Sequence, residues 1–383
     1  MMKKYNWQNP KWPHFEYDLK NCHSTLYEYA KNASQYPSPL LNLSKEDLEN
    51  LTIEMMVTEA LSTSEIEGEK PKAEDIRSSL LMNLGLIKTC EKISDKIADS
   101  IALMMLDVRC DYQKPLSKQM LQQWHQKLMS HSSLKPEYIG VFRYEHDPMQ
   151  VVSGPMGREV VHFEAPPSHQ MDQEMDEFIK WFNATDPHLN QVLEDKIQGP
   201  IRAAIAHLYF ESIHPFMDGN GRIGRAIVEK ALSQDMGYPI LFSVSKVIYK
   251  QRKMYYENLK KYTQYSLDLS GWIEYFTQLV YQAQIESKEL FSFLLKKKYF
   301  LENFEKQMNE RQLKVIQRMF HEGLKGFDGG MSAKKYMNIT QCSKATATRD
   351  LADLLKKGCL YQLAGGGTST RYDIHFDAIK SHL

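Results

Sequence analysis

The chain of 383 residues contains no run of eighteen apolar residues, and its opening stretch MMKKYNWQNPKWPHFEYDL has no signal-type apolar core. A membrane span is therefore not expected, and a cytoplasmic location is. Cysteine is sparse: Cys22, Cys90, Cys110, Cys342 and Cys359 are odd in number and never spaced CxxC. That pattern argues against a disulfide framework or a structural zinc site, and leaves buried free thiols as the expectation. The 13 histidines include no HExxH pair. No metal cage is encoded, which still leaves room for a metal carried in with phosphates. Net charge is missing too, since 48 Lys and Arg balance 48 Asp and Glu, so whole-chain electrostatics selects no partner.

What is present is mostly helical periodicity, over residues 40–300. Leu51, Met55 and Leu61 form an apolar face ending near Ser64; Ile93, Ile97, Ile101 and Met104 form another. Met171, Met175, Phe178 and Ile179, and then Ile201, Ile205, Leu208 and Tyr209, repeat the pattern. Residues 149–163 break it: Met149–Val152 and Val160–Phe163 read as short strands around a loop with two glycines and a proline, a hairpin. A long helix is expected from about Leu269 to Phe300. Residues 309–383 then carry 12 Lys and Arg against 7 Asp and Glu. They read as three helices, a strand, a glycine loop and a strand, the order of a winged helix-turn-helix domain. The expected fold is mainly α, with an N-terminal helical region over 1–110, a helical core over 111–300 and a winged-helix domain over 309–383.

The densest chemistry is His214-Pro-Phe-Met-Asp-Gly-Asn-Gly-Arg-Ile-Gly-Arg225. Pro215 disfavours helical geometry at His214 and turns the chain at the end of an apolar helix. Gly219 and Gly221 around Asn220 permit positive φ and close backbone approach, so successive N–H groups can cradle an anion at the start of the next helix. Arg222 and Arg225 on its first turns add charge-assisted contacts to phosphate oxygens. Asp218 is placed to hold Mg²⁺ against those oxygens, and His214 can take a proton from an incoming hydroxyl. Packing needs none of this combination.

The segment resembles the Fic family signature HPFx[D/E]GNGRxxR, matching it at His214, Pro215, Phe216, Asp218, Gly219, Asn220, Gly221, Arg222 and Arg225. Residues 115–280 look like the helical Fic core, and the 149–163 hairpin resembles the flap beside the motif. The resemblance implies transfer of a nucleoside monophosphate, usually AMP from ATP with Mg²⁺, to Ser, Thr or Tyr of a protein docked at the flap. His214 would be the base and Asp218 the metal ligand. Gly219, Asn220, Gly221 and Arg222 would bind phosphates, Arg225 would reach the γ-phosphate, and Phe216 would anchor the loop.

Thr63-Ser-Glu-Ile-Glu67-Gly68 resembles the same family's inhibitory signature [S/T]xxxE[G/N], on an inhibitory helix over 51–68. Glu67 would then compete with the γ-phosphate for Arg225. Gln251 and Tyr256 stand where relatives often line the adenine pocket. Trp7, Trp12 and Phe15 are expected to pack onto the body. A homodimer is expected by the same likeness. Lys344, Thr346 and Arg349 would be exposed on a recognition helix that could touch DNA, with Leu351, Leu354 and Leu355 facing its core. Two other readings stay open at this point: removal of AMP from modified proteins using Glu67, and a nucleotide-sensing DNA-binding regulator.

Overall fold

The computed structural model describes residues 4–35, 45–87, 93–145, 148–153, 160–188, 199–322, 326–364 and 370–376. Cys90, the flap loop and the glycine loop at 365–369 lie outside the described residues. The chain divides into two compact units, Met1–Ile285 and Glu286–Leu383. As expected, it is mainly helical with small antiparallel hairpins.

In the first unit the helices run α1 (His23–Gln35), α2 (Lys45–Ile66), α3 (Ala73–Asn83), α4 (Lys96–Cys110) and α5 (Lys118–Met129). The hairpin of β1 (Gln150–Ser153) and β2 (Val160–Glu164) follows, then α6 (Met171–Ala184), α7 (Gly199–Ile213) and α8 (Asn220–Met236). Two short helices, α9 (Val244–Lys250) and α10 (Arg252–Tyr262), precede the long α11 (Ser270–Phe304), of which residues 270–285 belong to this unit. No described helix is long and apolar enough to cross a membrane.

The centre of this unit is α7 packed on α8. Both are buried on nearly every side, so their polar groups must be satisfied inside the protein. The Lys230 ammonium does so by donating to the carbonyls of Asp111, Tyr112 and Lys114 at 2.6–2.8 Å.

Helix α2 departs from the one-faced amphipathic reading. Leu51, Ile53, Met55, Met56, Val57 and Ile66 are all buried, whereas Leu61 is only half-buried. It runs through the body rather than over it. Its Glu59 carboxylate, also buried, accepts from the Ser243 hydroxyl at 2.6 Å and the Ser245 N–H at 3.2 Å, tying α2 to the start of α9. Ile97 is a second departure: α4 starts after the Asp95 cap and turns Ile97 to solvent.

The N-terminal aromatics pack as expected. Trp12 and Phe15 meet the Tyr209 ring edge-on, and the Trp7 indole donates to the Glu164 carbonyl at 2.7 Å. Tyr5 adds an edge contact to Phe163, so this segment braces β2. In the hairpin Val151 pairs with Phe163, and the register shifts after Val151. Cys22 and Cys359 are buried free thiols, but Cys110 is exposed.

In the second unit, α12 (Glu310–His321), α13 (Ala333–Thr340) and α14 (Lys344–Lys356) precede β3 (Leu360–Gln362) and β4 (Tyr372–Ile374), which pair antiparallel. Val315, Ile316, Phe320, Tyr336, Leu351 and Leu354 share its core. Asp350 joins the three helices, accepting from Arg311 at 2.9 Å and the Tyr336 hydroxyl at 3.0 Å. Leu355 was expected in this core and is instead 37% exposed. The inward stripe of α14 is Ala347, Asp350, Leu351 and Leu354, spaced three and four apart, and it passes Leu355 by. Lys344 and Arg349 are exposed and Thr346 is half-buried.

Candidate active site

The turn between α7 and α8 is built around two left-handed residues. His214 has φ +51° and Gly219, the cap of α8, has φ +79°. A non-glycine residue held there needs outside support, and Arg143 supplies it. Its buried guanidinium donates to the His214 carbonyl at 2.8 Å, the Ile213 carbonyl at 3.2 Å, the Pro166 carbonyl and the Ser168 hydroxyl. Arg143→Met is expected to destabilise the fold by at least about 3 kcal/mol, because buried carbonyls lose their donors; a lowered urea midpoint checks it. The Asn220 side chain closes the turn from inside, accepting from the Phe216 N–H at 2.9 Å and donating to the Phe216 carbonyl at 2.8 Å. Its amide is thus occupied by the loop it shapes.

His125 of α5 fixes the other side. The Gly140 N–H donates to its Nδ1 at 2.8 Å, so the proton sits on Nε2, which faces the Asp218 carbonyl at 3.2 Å. The ring stacks on Phe216 with centroids 4.1 Å apart, and Phe216 is fully buried. Gly219 allows the close fit: a Cβ there would lie 3.1 Å from the Met129 sulfur.

Burial pushes three imidazoles down: His125 to about 4, His207 to about 3 and His214 to about 4, the last helped by Arg143. All three are neutral at physiological pH. The unfolded chain takes up these protons near pH 6.5 and the folded one only near 3–4, so their contribution to stability is complete above 6.5 and is lost as pH falls towards 4. The urea midpoint is therefore expected to be lower at pH 5 than at pH 7.

A cavity of about 900 Å³ opens over this turn, lined by His214, Asp218, Gly219, Asn220, Gly221, Arg222 and Arg225, and by the Met149–Val151 and His162–Phe163 edges of the hairpin. The His214 Nδ1 is sealed from solvent and lies 3.8 Å from the Glu211 carboxylate, leaving Nε2 as the ring nitrogen a ligand can reach. Burial raises Glu211 to about 8, with Arg225 working against the rise, so it is protonated at neutral pH. The Asp218 side chain is 62% exposed. Among the described residues no group of three or more His, Cys, Asp or Glu could hold a metal unaided. One open carboxylate beside the turn that starts α8 could nevertheless hold Mg²⁺ brought in with a ligand's own oxygens, since that ion keeps several waters and needs few protein ligands.

The C-terminal turn of α2 meets this cavity. Gly68, at φ +89°, ends the helix with paired bonds: Glu69 N–H to the Ser64 carbonyl and Gly68 N–H to the Glu65 carbonyl. The Glu67 N–H also turns to Ser64, which leaves the Thr63 carbonyl to accept from Arg225 Nη2 at 3.0 Å. Arg225 Nε donates to the Thr63 hydroxyl at 2.7 Å and Nη2 to the Glu67 carboxylate at 2.6 Å, across 158 positions of sequence. Burial works to raise the Glu67 carboxyl, but Arg225, Arg222 and Arg252 outweigh it and hold it below the usual range. Glu67 also rests against the cradle, since a Cβ on Gly221 would sit 2.3 Å from its Oε1.

The structure thus gathers Thr63, Glu67, His214, Asp218, Gly219, Gly221, Arg222 and Arg225 at one place. Tyr256 joins them, its hydroxyl 3.3 Å from the Ile66 carbonyl and 3.5 Å from Glu67. Gln251 does not. It is the non-helical joint between α9 and α10, and the cavity wall there is Arg252, Lys253, Tyr255 and Tyr256. Sequence reasoning missed His125, Arg143, Glu211 and Glu69. Only Glu69 left a local sign, as an acid one residue beyond the Gly68 stop.

Residues 115–232 match the profile of the Fic/DOC family, and residues 5–86 match a profile described as a domain of unknown function (DUF4172). The chain is similar in fold to a Fic family protein from Desulfovibrio desulfuricans G20, at 17% identity and a TM-score of 0.54, over 94% of this chain and 97% of that one. It is also similar to a Fic domain containing signaling protein from Bacteroides thetaiotaomicron VPI-5482, at 18% identity and a TM-score of 0.51, over 71% of this chain and 97% of the other. With the motif turn, the helices around it and the profile match in agreement, the chain carries a Fic/DOC family domain at residues 115–232.

Proposed function

We propose that this protein is an adenylyltransferase that moves AMP from ATP to a hydroxyl of a protein, itself included, and that Glu67 restrains it. The observation that carries the reading is the shared cavity: His214, Asp218, Arg222, Arg225 and the Gly219–Gly221 backbone all line it, with Glu67 among them.

In this reading the turn at Gly219–Gly221 and the start of α8 cradle the phosphates, and Arg222 and Arg225 clamp them. The target hydroxyl gives its proton to His214 Nε2 as its oxygen bonds to the α-phosphorus. The bond from that phosphorus to the bridging oxygen breaks, and its electron pair leaves with pyrophosphate. Mg²⁺ held by Asp218 and the phosphates would neutralise charge on the leaving group. Catalysis of this kind rests on positioning and charge stabilisation. The flap hairpin would take the target segment along a strand edge, so backbone pairing aligns the hydroxyl.

Parallel incubation with α-labelled and γ-labelled ATP tests the reaction type. Retention of α-label alone on protein supports AMP transfer; γ-label retention, or no label in any variant, removes the reading.

A further inference from the structure

The C-terminal turn of α2 presents two carboxylates to the motif, and they differ in one respect. Glu67 lines the cavity and Glu69 does not. Glu69 instead reaches Arg222 from outside it, Oε2 to Nη1 at 2.7 Å. The Arg222 side chain is 6% exposed and that of Glu69 30%. The rest of the guanidinium is poorly held: Nη2 lies 3.8 Å from the Met129 sulfur and 4.0 Å from Asp218 Oδ1, and Nε is buried without a partner. Glu69 is therefore what fixes the direction of this arginine.

We infer that Glu69 is a positioning residue, one that holds Arg222 toward bound phosphate and away from Asp218. The inference rests on the nucleotide-binding reading of the cavity. A buried guanidinium without a partner seeks the nearest carboxylate. With Glu69 removed, that carboxylate is Asp218 at 4.0 Å, the one placed to share Mg²⁺. An Arg222–Asp218 pair would cost the site twice, turning a cation from the phosphates and occupying the metal ligand. The Gly68 turn, closed by its two backbone bonds, sets Glu67 and Glu69 on their different arginines. A single helix end thus carries a competitor and a support, and the two substitutions act in opposite directions.

The test places Glu69→Ala and Glu69→Gln in a Glu67→Gly background and measures Mg-ATP and Mg-ADP affinity by calorimetry across a Mg²⁺ titration, beside self-labelling. Glu69→Ala is expected to weaken both nucleotides by about tenfold, the scale of one charge-assisted bond, and to raise the Mg²⁺ concentration needed. Glu69→Gln, which keeps an acceptor for Arg222, should fall between. An unchanged melting temperature with these shifts separates positioning from loss of fold. Unchanged affinity and Mg²⁺ requirement would overturn the inference, and tighter binding would make Glu69 a second competitor instead. If Glu67→Gly binds Mg-ATP but never labels protein, the transferase reading fails while the Glu69 comparison still reads out in affinity. If no variant binds nucleotide, both fall.

Discussion

Replacing Glu67 by glycine is expected to raise self-labelling with α-labelled ATP by at least about tenfold, which needs only ~1.4 kcal/mol of barrier. Arg225 is buried and spends its Nη2 on Glu67 at 2.6 Å. A γ-phosphate can have that nitrogen in good geometry only when the carboxylate leaves. The same carboxylate presses on Gly221, so its removal also clears the cradle. Magnitudes decide how the restraint is lifted. Six large apolar side chains of α2 are buried, together worth on the order of 10 kcal/mol. One arginine–carboxylate contact costs about 3–5 kcal/mol to break without replacement, and an incoming phosphate replaces it. On the proposed restraint, release is therefore expected to be local, a swing of the Glu67 side chain with α2 still docked. Unaltered labelling by Glu67→Gly would end the restraint account.

The second large effect is at His214. His214→Ala is expected to lower labelling by about 10²–10⁴-fold, the usual contribution of a positioned base, with little change in Mg-ATP affinity because both arginines remain. With its pKa pushed down to about 4, the imidazole is already neutral at pH 8 and stays so at pH 6. In the Glu67→Gly protein, His214-dependent rates should stay level from pH 6 to pH 7, below the range where the neighbouring Glu211 ionises, and fall only as pH approaches 4, where Nε2 is protonated. A fall centred near 6.5 would mean an imidazole in ordinary solvent, which its burial in the structure opposes.

Much of the site was legible because its residues are close in sequence. Twelve consecutive positions encode a turn, a cradle and two cations, and local backbone geometry brings them together. The Glu67–Arg225 pair spans 158 positions and came only from the likeness at Thr63–Gly68. His125 and Arg143 were not legible. A histidine on a helix and an arginine in a loop carry no local signature, and both act through contacts on the 214–220 turn that exist only in the fold. The hairpin followed from two short apolar runs around a loop with two glycines and a proline, and the long helix from the helical character of the stretch from about Leu269 to Phe300. Leu61, Ile97 and Leu355 did not, since an apolar residue near a stripe can lie at its edge. Gln251 was placed by position along the chain, and the joint between α9 and α10 turns it out of the cavity wall.

The central claim is that this cavity transfers AMP using His214 and that Glu67 holds it back. Intact-mass spectrometry of Glu67→Gly protein after incubation with Mg-ATP tests it most directly. The account predicts a gain of one AMP, absent from the Glu67→Gly, His214→Ala double variant. No gain in the single variant, or an equal gain in both, would contradict it.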